Sequence, residues 1–237
     1  MMDRRSFLLA TTTASVAALT GCASVGGSSG PPAQAPIYRV GDRWVYRAQD
    51  GFRDPVTWEE TQEIIAAGPN GISARITQIG PTVNSVRTET WSAPGIVLVG
   101  AVFDNEIRRF AAPLKRYDFP LTPGETWNQF VANVNETARQ KEGVINRYVT
   151  VRGWDRVATP AGEFDALRMR VFMRLDDEEF WRYPTDCNYE IWYAPAAGAS
   201  VREVKRAEYS QRHDGQSAIR IRSQNALLEL TSYRRGG

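Results

Sequence analysis

Few residues of this chain could do chemistry. The single histidine, His213, sits in Arg212-His213-Asp214-Gly215, which reads as a hairpin turn. A catalytic triad needs a histidine beside a nucleophile and an orienting acid, and no Gly-x-Ser-x-Gly elbow accompanies it. One histidine also excludes a His-rich metal centre. Asp176-Asp177-Glu178-Glu179 offers carboxylate oxygens to a hard cation such as Ca²⁺. It lacks the spaced ligands of a calcium loop, and neighbouring strand residues point to opposite faces, so it reads as a solvated hairpin tip. No metal and no cofactor is expected, and no catalytic residue is identified.

Two groups suit recognition better than catalysis. The first is a row of arginines, Arg168, Arg170 and Arg174, joined by Arg220 and Arg222 further along. Arginine's planar fork fits phosphate and carboxylate, so these five form a candidate anion or partner face. Read structurally, the same residues, with Arg202 and Arg206, make a ladder of cross-strand pairs with Glu190, Glu203 and Glu229. The second group is aromatic. Trp44, Trp127, Trp154, Trp192 and Tyr193 are the candidate ligand-binding set, drawn from seven Trp, nine Tyr and nine Phe that also supply a core. A concave sheet lined by such residues would form an apolar pocket.

The elements that position these residues read as strands. Leu167 to Leu175 alternates strictly, with apolar residues at odd positions and arginine at three of the four even ones. A strand separates the two sets onto opposite faces, whereas a helix would scatter them. Ile72–Thr77, Ile145–Val151, Tyr189–Tyr193, Ile219–Arg222 and Leu228–Leu230 behave alike. Ile96–Phe103 is apolar at nearly every position, which predicts a strand covered on both faces. Turn residues fall between the runs, at Gly68-Pro69-Asn70-Gly71, Asp104-Asn105, Pro160-Ala161-Gly162 and Asp176-Asp177. No stretch after Ile37 has helical periodicity. Short connections favour antiparallel neighbours. The fold class is therefore all-β: one domain of about ten to twelve antiparallel strands, as a curved sheet, half-barrel, barrel or sandwich. Val40-Gly41-Asp42-Arg43-Trp44 is echoed 83 residues later by Pro123-Gly124-Glu125-Thr126-Trp127, which reads either as Trp44 and Trp127 capping equivalent ends of two sheet halves or as chance recurrence.

The first residues are an address. Asp3-Arg4-Arg5 precedes a short run of apolar and small residues that ends at Leu19-Thr20-Gly21-Cys22, the layout of a signal peptide. Leu-Thr-Gly-Cys resembles the lipobox of bacterial lipoproteins. That resemblance implies cleavage before Cys22, a diacylglycerol thioether on its sulfur and acylation of the new N-terminus. More than one acyl chain, at about 0.8 kcal/mol per buried CH₂, anchors a protein stably. Arg4-Arg5-Ser6-Phe7-Leu8 resembles a twin-arginine export signal and equally serves as a general positive n-region. Ala23 after the cysteine, in place of Asp, favours the outer membrane by the same resemblance. Removing residues 1–21 takes away two basic residues and one acidic one, so the formal charge of +2 becomes +1. So small a charge argues against nucleic acid as a partner. The expected organisation is a signal peptide at 1–21, the lipidated cysteine and a flexible tether at 22–36, and the β domain at 37–237. Acylation of Cys22 leaves Cys187 without a partner in the chain, as a buried or loop thiol.

Within the β domain, Phe119-Pro120-Leu121 with Gly124 and Trp127, Thr159-Pro160-Ala161-Gly162-Glu163-Phe164, and Ile191-Trp192-Tyr193-Ala194-Pro195 with Gly198 resemble segments of a broad group of uncharacterised exported bacterial β-proteins. The resemblance spans roughly residues 37–206. It implies a curved antiparallel sheet similar to the half-barrels that carry lipids or lipoproteins across the periplasm, and it transfers no catalytic residue. The expected function is that of a lipid-anchored, non-enzymatic protein of the outer membrane, facing the periplasm, that binds a lipid or other envelope component on a concave sheet. The alternative is a scaffold or assembly lipoprotein whose partner is another envelope protein.

Overall fold

The computed structural model describes residues 30–236 except 105, 137, 139–141 and 213–216. The lipobox with Cys22 and the turn histidine His213 lie outside the described residues. Twelve strands follow in order: β1 (Arg43–Asp50), β2 (Val56–Gly68), β3 (Gly71–Ile79), β4 (Asn84–Ala93), β5 (Ile96–Ala101), β6 (Ile107–Lys115), β7 (Thr126–Asn135), β8 (Glu142–Thr159), β9 (Gly162–Asp176), β10 (Thr185–Ala194), β11 (Ala199–Gln211) and β12 (Ile219–Arg234). Each pairs antiparallel with the next, and β1 pairs with β12 to close a barrel. Closure is the one arrangement of so long a meander that leaves no strand edge exposed. No helix occurs among the described residues.

The alternation read from the sequence sets the two faces. On β9, Leu167, Met169, Val171, Met173 and Leu175 are buried, while Arg170, Phe172 and Arg174 face solvent. β2 ends at Gly68 and β3 begins at Gly71, β9 begins at Gly162, and β10 ends at Ala194, each where the turn residues predict it. The run Ile96–Phe103 is shorter and wetter than expected: β5 stops at Ala101, with Val97 buried and Leu98 exposed. A barrel wall is covered on its inner face only, so both-sided burial is not available to it.

Both halves of the barrel start alike. Gly41 and Gly124 adopt left-handed φ of 87° and 88°, which glycine reaches without a Cβ clash. The N–H of Gly41 bonds the carbonyl of Ile64, and that of Gly124 bonds the carbonyl of Val151. In return the N–H of Ile64 bonds Asp42 O, and that of Val151 bonds Glu125 O. The sequence echo thus marks the same turn at the first strand of each six-strand half. The two tryptophans diverge from there: Trp44 is buried with its Nε1 on Ala197 O at 2.8 Å, while Trp127 is only partly buried, with its Nε1 on Lys115 O at 3.3 Å.

One barrel end is covered. Residues 30–42 cross it before β1. Ala33 forms a two-way backbone bridge with Leu121, both buried. Trp154 Nε1 donates to Pro31 O at 3.1 Å, and Tyr38 Oη donates to Gly198 O at 3.1 Å. Asp42, fully buried, accepts from the backbone N–H groups of Gly236 and Arg39 and faces Arg235 at 3.2 Å. Residues 30–36 therefore pack on the barrel end instead of hanging free before Ile37. The second half of the expected flexible tether is part of the fold, because Ala33, Pro31 and Tyr38 find specific partners on the barrel end.

Candidate ligand-binding lumen

Twelve strands enclose more volume than their own side chains fill, whereas about eight close onto a packed interior. Here one side is filled. Val131, Ile145, Val149, Val151, Leu167, Met169, Val171 and Leu175 pack against Val97, Phe110, Leu114 and Leu121 in one cluster across β5–β9. The remaining interior, toward β1–β4 and β10–β12, is a cavity of about 610 Å³. Its lining reaches from Tyr38 and Ala199 near the covered end to Asp50, Gly51, Phe52, Val83 and Asp104 at the other, where it opens. The volume lies within the usual range for a small-molecule site.

The lining is mixed. Ile76, Leu114, Met173, Ile191 and Leu228 give apolar wall, and Trp58, Trp91, Tyr117 and Tyr189 give aromatic wall. Charged side chains stand among them in fixed pairs. Glu89 on β4 bonds Arg116 Nη2 at 2.8 Å, Trp91 Nε1 at 3.1 Å and the N–H of Ala101 at 3.1 Å, with Arg87 at 3.8 Å. Burial alone would raise its pKa; Arg116 and Arg87 overcome that and hold it below the usual carboxylate range. Arg116 lies over the Trp91 ring at 5.8 Å. On β11, Glu203 pairs with Lys205 at 2.6 Å and accepts from Ser200 Oγ at 2.6 Å. Burial again pushes up, and Lys205, that hydroxyl and Arg116 bring its pKa down. Glu60 on β2 is buried and held by neutral donors, Gln62 Nε2 at 2.8 Å and Gln78 Nε2 at 2.6 Å.

Arg147 differs from the other cations. It is buried, and its Nη1 and Nη2 donate to the carbonyls of Lys115 and Arg116 at 2.7 and 3.2 Å. It has no carboxylate within 4.0 Å among the described residues. Burial first, then the neighbouring Arg116, brings its pKa down to about 10. Near the mouth, Trp58 Nε1, Ser223 Oγ and Gln224 Oε1 line the cavity, shielded from solvent and without a hydrogen-bond partner among the described residues.

The aromatic set expected from the sequence does not line this cavity. Trp44 and Tyr193 are buried at the covered end, Tyr193 stacking on Tyr117 and Phe119 at 5.4 and 5.3 Å. Trp127 lies at the same end, at the start of β7. Trp154 bonds the N-terminal segment, and Trp192 faces outward, where its Nε1 meets Asp155 at 3.0 Å. The aromatics at the cavity are Tyr38, Trp58, Trp91, Tyr117 and Tyr189. Aromatic type alone could not separate the two groups, since both occupy inward or end positions. A better signal was available: Arg147 stands at an inward position between Ile145 and Val149, and Gln78 continues the inward series Ile72, Ala74, Ile76. A polar residue at a core position needs internal partners or a ligand.

The arginine face divides. Arg168, Arg170 and Arg174 lie on β9 and Arg220 and Arg222 on β12, with β10 and β11 between them. The expected ladder forms in part. Glu229 takes Arg202 at 2.7 Å and Arg47 at 2.8 Å, Glu208 takes Arg220 at 2.7 Å, and Asp155 lies 3.5 Å from Arg168. Glu203 has turned into the lumen, and Arg170 faces Glu190 in register without an ion pair. The acidic run is a solvated tip only in part: Glu178 is exposed and Asp176 and Glu179 are half-buried. Asp177 is buried, bonds Arg108 at 2.6 and 3.1 Å and pairs with Arg182 at 3.0 Å. Cys187 is fully buried, and burial pushes its thiol up to about 12.

Among known proteins, no family and no curated protein matches this chain. Two solved structures do. A protein from Bacteroides fragilis NCTC 9343, described as exported and of YmcC-like fold, aligns with a TM-score of 0.52 and 13% identity, over 86% of this chain and 100% of that one. A protein from Parabacteroides distasonis ATCC 8503, described as a lipoprotein, aligns with a TM-score of 0.46 and 11% identity over the same shares. The first likeness shows that the closed antiparallel barrel is the fold of an exported bacterial protein.

Proposed function

We propose that this is a lipid-anchored protein of the bacterial envelope whose barrel lumen binds a lipid or other envelope component without altering it. The observation that carries the reading is a barrel left unfilled over about 610 Å³, open at one end and covered at the other by the chain's own N-terminal segment. A non-enzymatic role fits the site. Glu89 and Glu203 are held ionised by cations, and burial raises the pKa of Tyr117 and Tyr189 so that they stay protonated. The group brought toward neutrality is Asp104 at the mouth, with a pKa of about 6; Glu89 and Glu203, deeper in the lumen, move the other way.

The geometry gives the lumen a direction. Residues 23–29 separate Cys22 from Gly30, a reach of at most about 29 Å over eight steps. A lipid on Cys22 would hold the covered end against the outer membrane, with the mouth turned to the periplasm. Ligand would then arrive from the periplasm rather than from the anchoring leaflet. Native mass spectrometry of the purified protein after incubation with envelope lipid extract tests the reading, and the absence of a retained species from every lipid class contradicts it. A scaffold role has one observation in its favour: Phe130, Tyr148 and Phe172 are exposed together on the outer wall of β7–β9. Cross-linking in intact cells distinguishes it, since a scaffold gives one stoichiometric protein adduct.

A further inference from the structure

The lining of the lumen holds five carboxylates and four cations, yet among the described residues one of those cations, Arg147, has no carboxylate of its own. Around Glu89 and Glu203 stand four cations, Arg87, Arg116, Arg147 and Lys205. Glu89 serves Arg116 and Arg87, and Glu203 serves Lys205. Arg147 is satisfied by carbonyl dipoles alone, at the closed end of β6. The other acids of the lining lie elsewhere: Glu60 is committed to two glutamine amides, and Asp50 and Asp104 stand at the mouth. A buried charge without a counter-charge is costly, and a guanidinium cannot escape by losing its proton. Nearer the mouth, Gln224 is 5% exposed, and its Oε1 has no partner, although its Nε2 donates to Asp104 at 2.9 Å. Trp58 Nε1 and Ser223 Oγ are unspent in the same wall. Apolar surface from Ile76, Met173, Ile191 and Leu228 lies between.

Resting on the lumen-binding reading above, we infer that the ligand is an anionic amphiphile: its carboxylate or phosphate pairs with Arg147, its apolar part lies along Met173 and Ile191, and hydroxyl or amide groups meet Trp58, Ser223 and Gln224. Arginine presents two parallel donors to either anion, so a fatty acid and a lipid phosphate share the chemistry.

The test uses the purified full chain and four probes: laurate, dodecyl phosphate, inorganic phosphate and the neutral dodecyl maltoside, the three amphiphiles matched at twelve carbons. Binding is read by titration calorimetry and by the fluorescence of lumen tryptophans. The inference expects laurate or dodecyl phosphate to bind at least tenfold more tightly than dodecyl maltoside. Tighter laurate points to a carboxylate source, and tighter dodecyl phosphate to a lipid phosphate. Arg147→Gln, which keeps a donor but no charge, should erase the preference, and Arg147→Lys should keep most of it. Should Arg147→Gln fail to fold by circular dichroism, Arg147→Met takes its place. If neither variant folds, the ranking of the four probes on the wild type decides alone. Equal affinity for anionic and neutral chains, or a preference that survives loss of the charge, overturns the inference and leaves the lumen reading intact. Inorganic phosphate binding as tightly as dodecyl phosphate overturns the amphiphile. Binding that persists with unchanged affinity in Ala226→Trp, which pushes an indole into the lumen, overturns the lumen reading itself.

Discussion

Replacing Asp177 with Asn tests a buried ion pair of the fold. Arg108 is fully buried on β6, and Asp177 holds both of its Nη atoms, with Asn133 Oδ1 at 2.8 Å and the carboxylate of Glu106 alongside. Burial alone would lower the arginine's pKa; Asp177 and Glu106 reverse this and raise it. Removing one partner of a buried pair costs about 3–5 kcal/mol, because the remaining charge keeps its desolvation penalty. Glu106 stays in contact but is 35% exposed, so the lower figure, about 3 kcal/mol, applies. For a domain of this size that is a fall in Tm of about 6–12 °C. The control is Asp165→Asn, which removes an exposed partner of Arg156 and should cost under about 0.5 kcal/mol. Both are measured by thermal and urea unfolding under one buffer. A loss under about 1 kcal/mol for Asp177→Asn, similar to the control, would falsify the claim that Arg108 is a dry charge held by this carboxylate.

Three further outcomes follow from the same geometry. Asp104 is exposed at the mouth, but its carboxyl turns inward to Gln224, and partial desolvation, with Asp50 and Glu106 nearby, raises its pKa to about 6. The folded state then holds that proton more tightly than the unfolded one, so stability falls as pH rises from about 4 through 6. Asp104→Asn should flatten that decline, and an unchanged pH profile of urea midpoints would count against it. Cys187 should resist a thiol reagent such as Ellman's in the native protein and react fully in denaturant; prompt native reaction contradicts its burial. Truncation to Ile37 should cost about 2–3 kcal/mol relative to truncation to Gly30, from the two Ala33–Leu121 hydrogen bonds and the Pro31–Trp154 bond. Equal urea midpoints would return residues 30–36 to the tether.

The wall of the barrel was legible because strand alternation is local. Leu167 to Leu175 declares its two faces without reference to anything distant, and Gly68, Gly71 and Gly162 mark the turns by their own backbone needs. Closure was not legible, since the β1–β12 pairing joins Arg43 to Arg234 across the whole chain and no local pattern encodes it. The lumen was legible only in its exceptions. Arg147 and Gln78 occupy inward positions where apolar residues were due, yet which partners they meet depends on strands far away in sequence. The aromatics divide for the same reason: Trp58 and Trp44 look alike in sequence, and only the covering of one barrel end by residues 30–42 puts Trp44 in a packed plug and Trp58 on a cavity. The role of Asp177 depended on Arg108, 69 residues away.

The central claim is that the lumen holds an envelope ligand. Native mass spectrometry of the full chain equilibrated with envelope lipid extract, wild type beside Ala226→Trp, tests it most directly. Ala226 faces the cavity from β12, and a tryptophan there narrows it; Ser223→Trp serves if Ala226→Trp does not fold. The account predicts one retained species per wild-type barrel and a lower occupancy in the narrowed variant. No retained species in the wild type, or one that the narrowed variant keeps at the same occupancy, would contradict it.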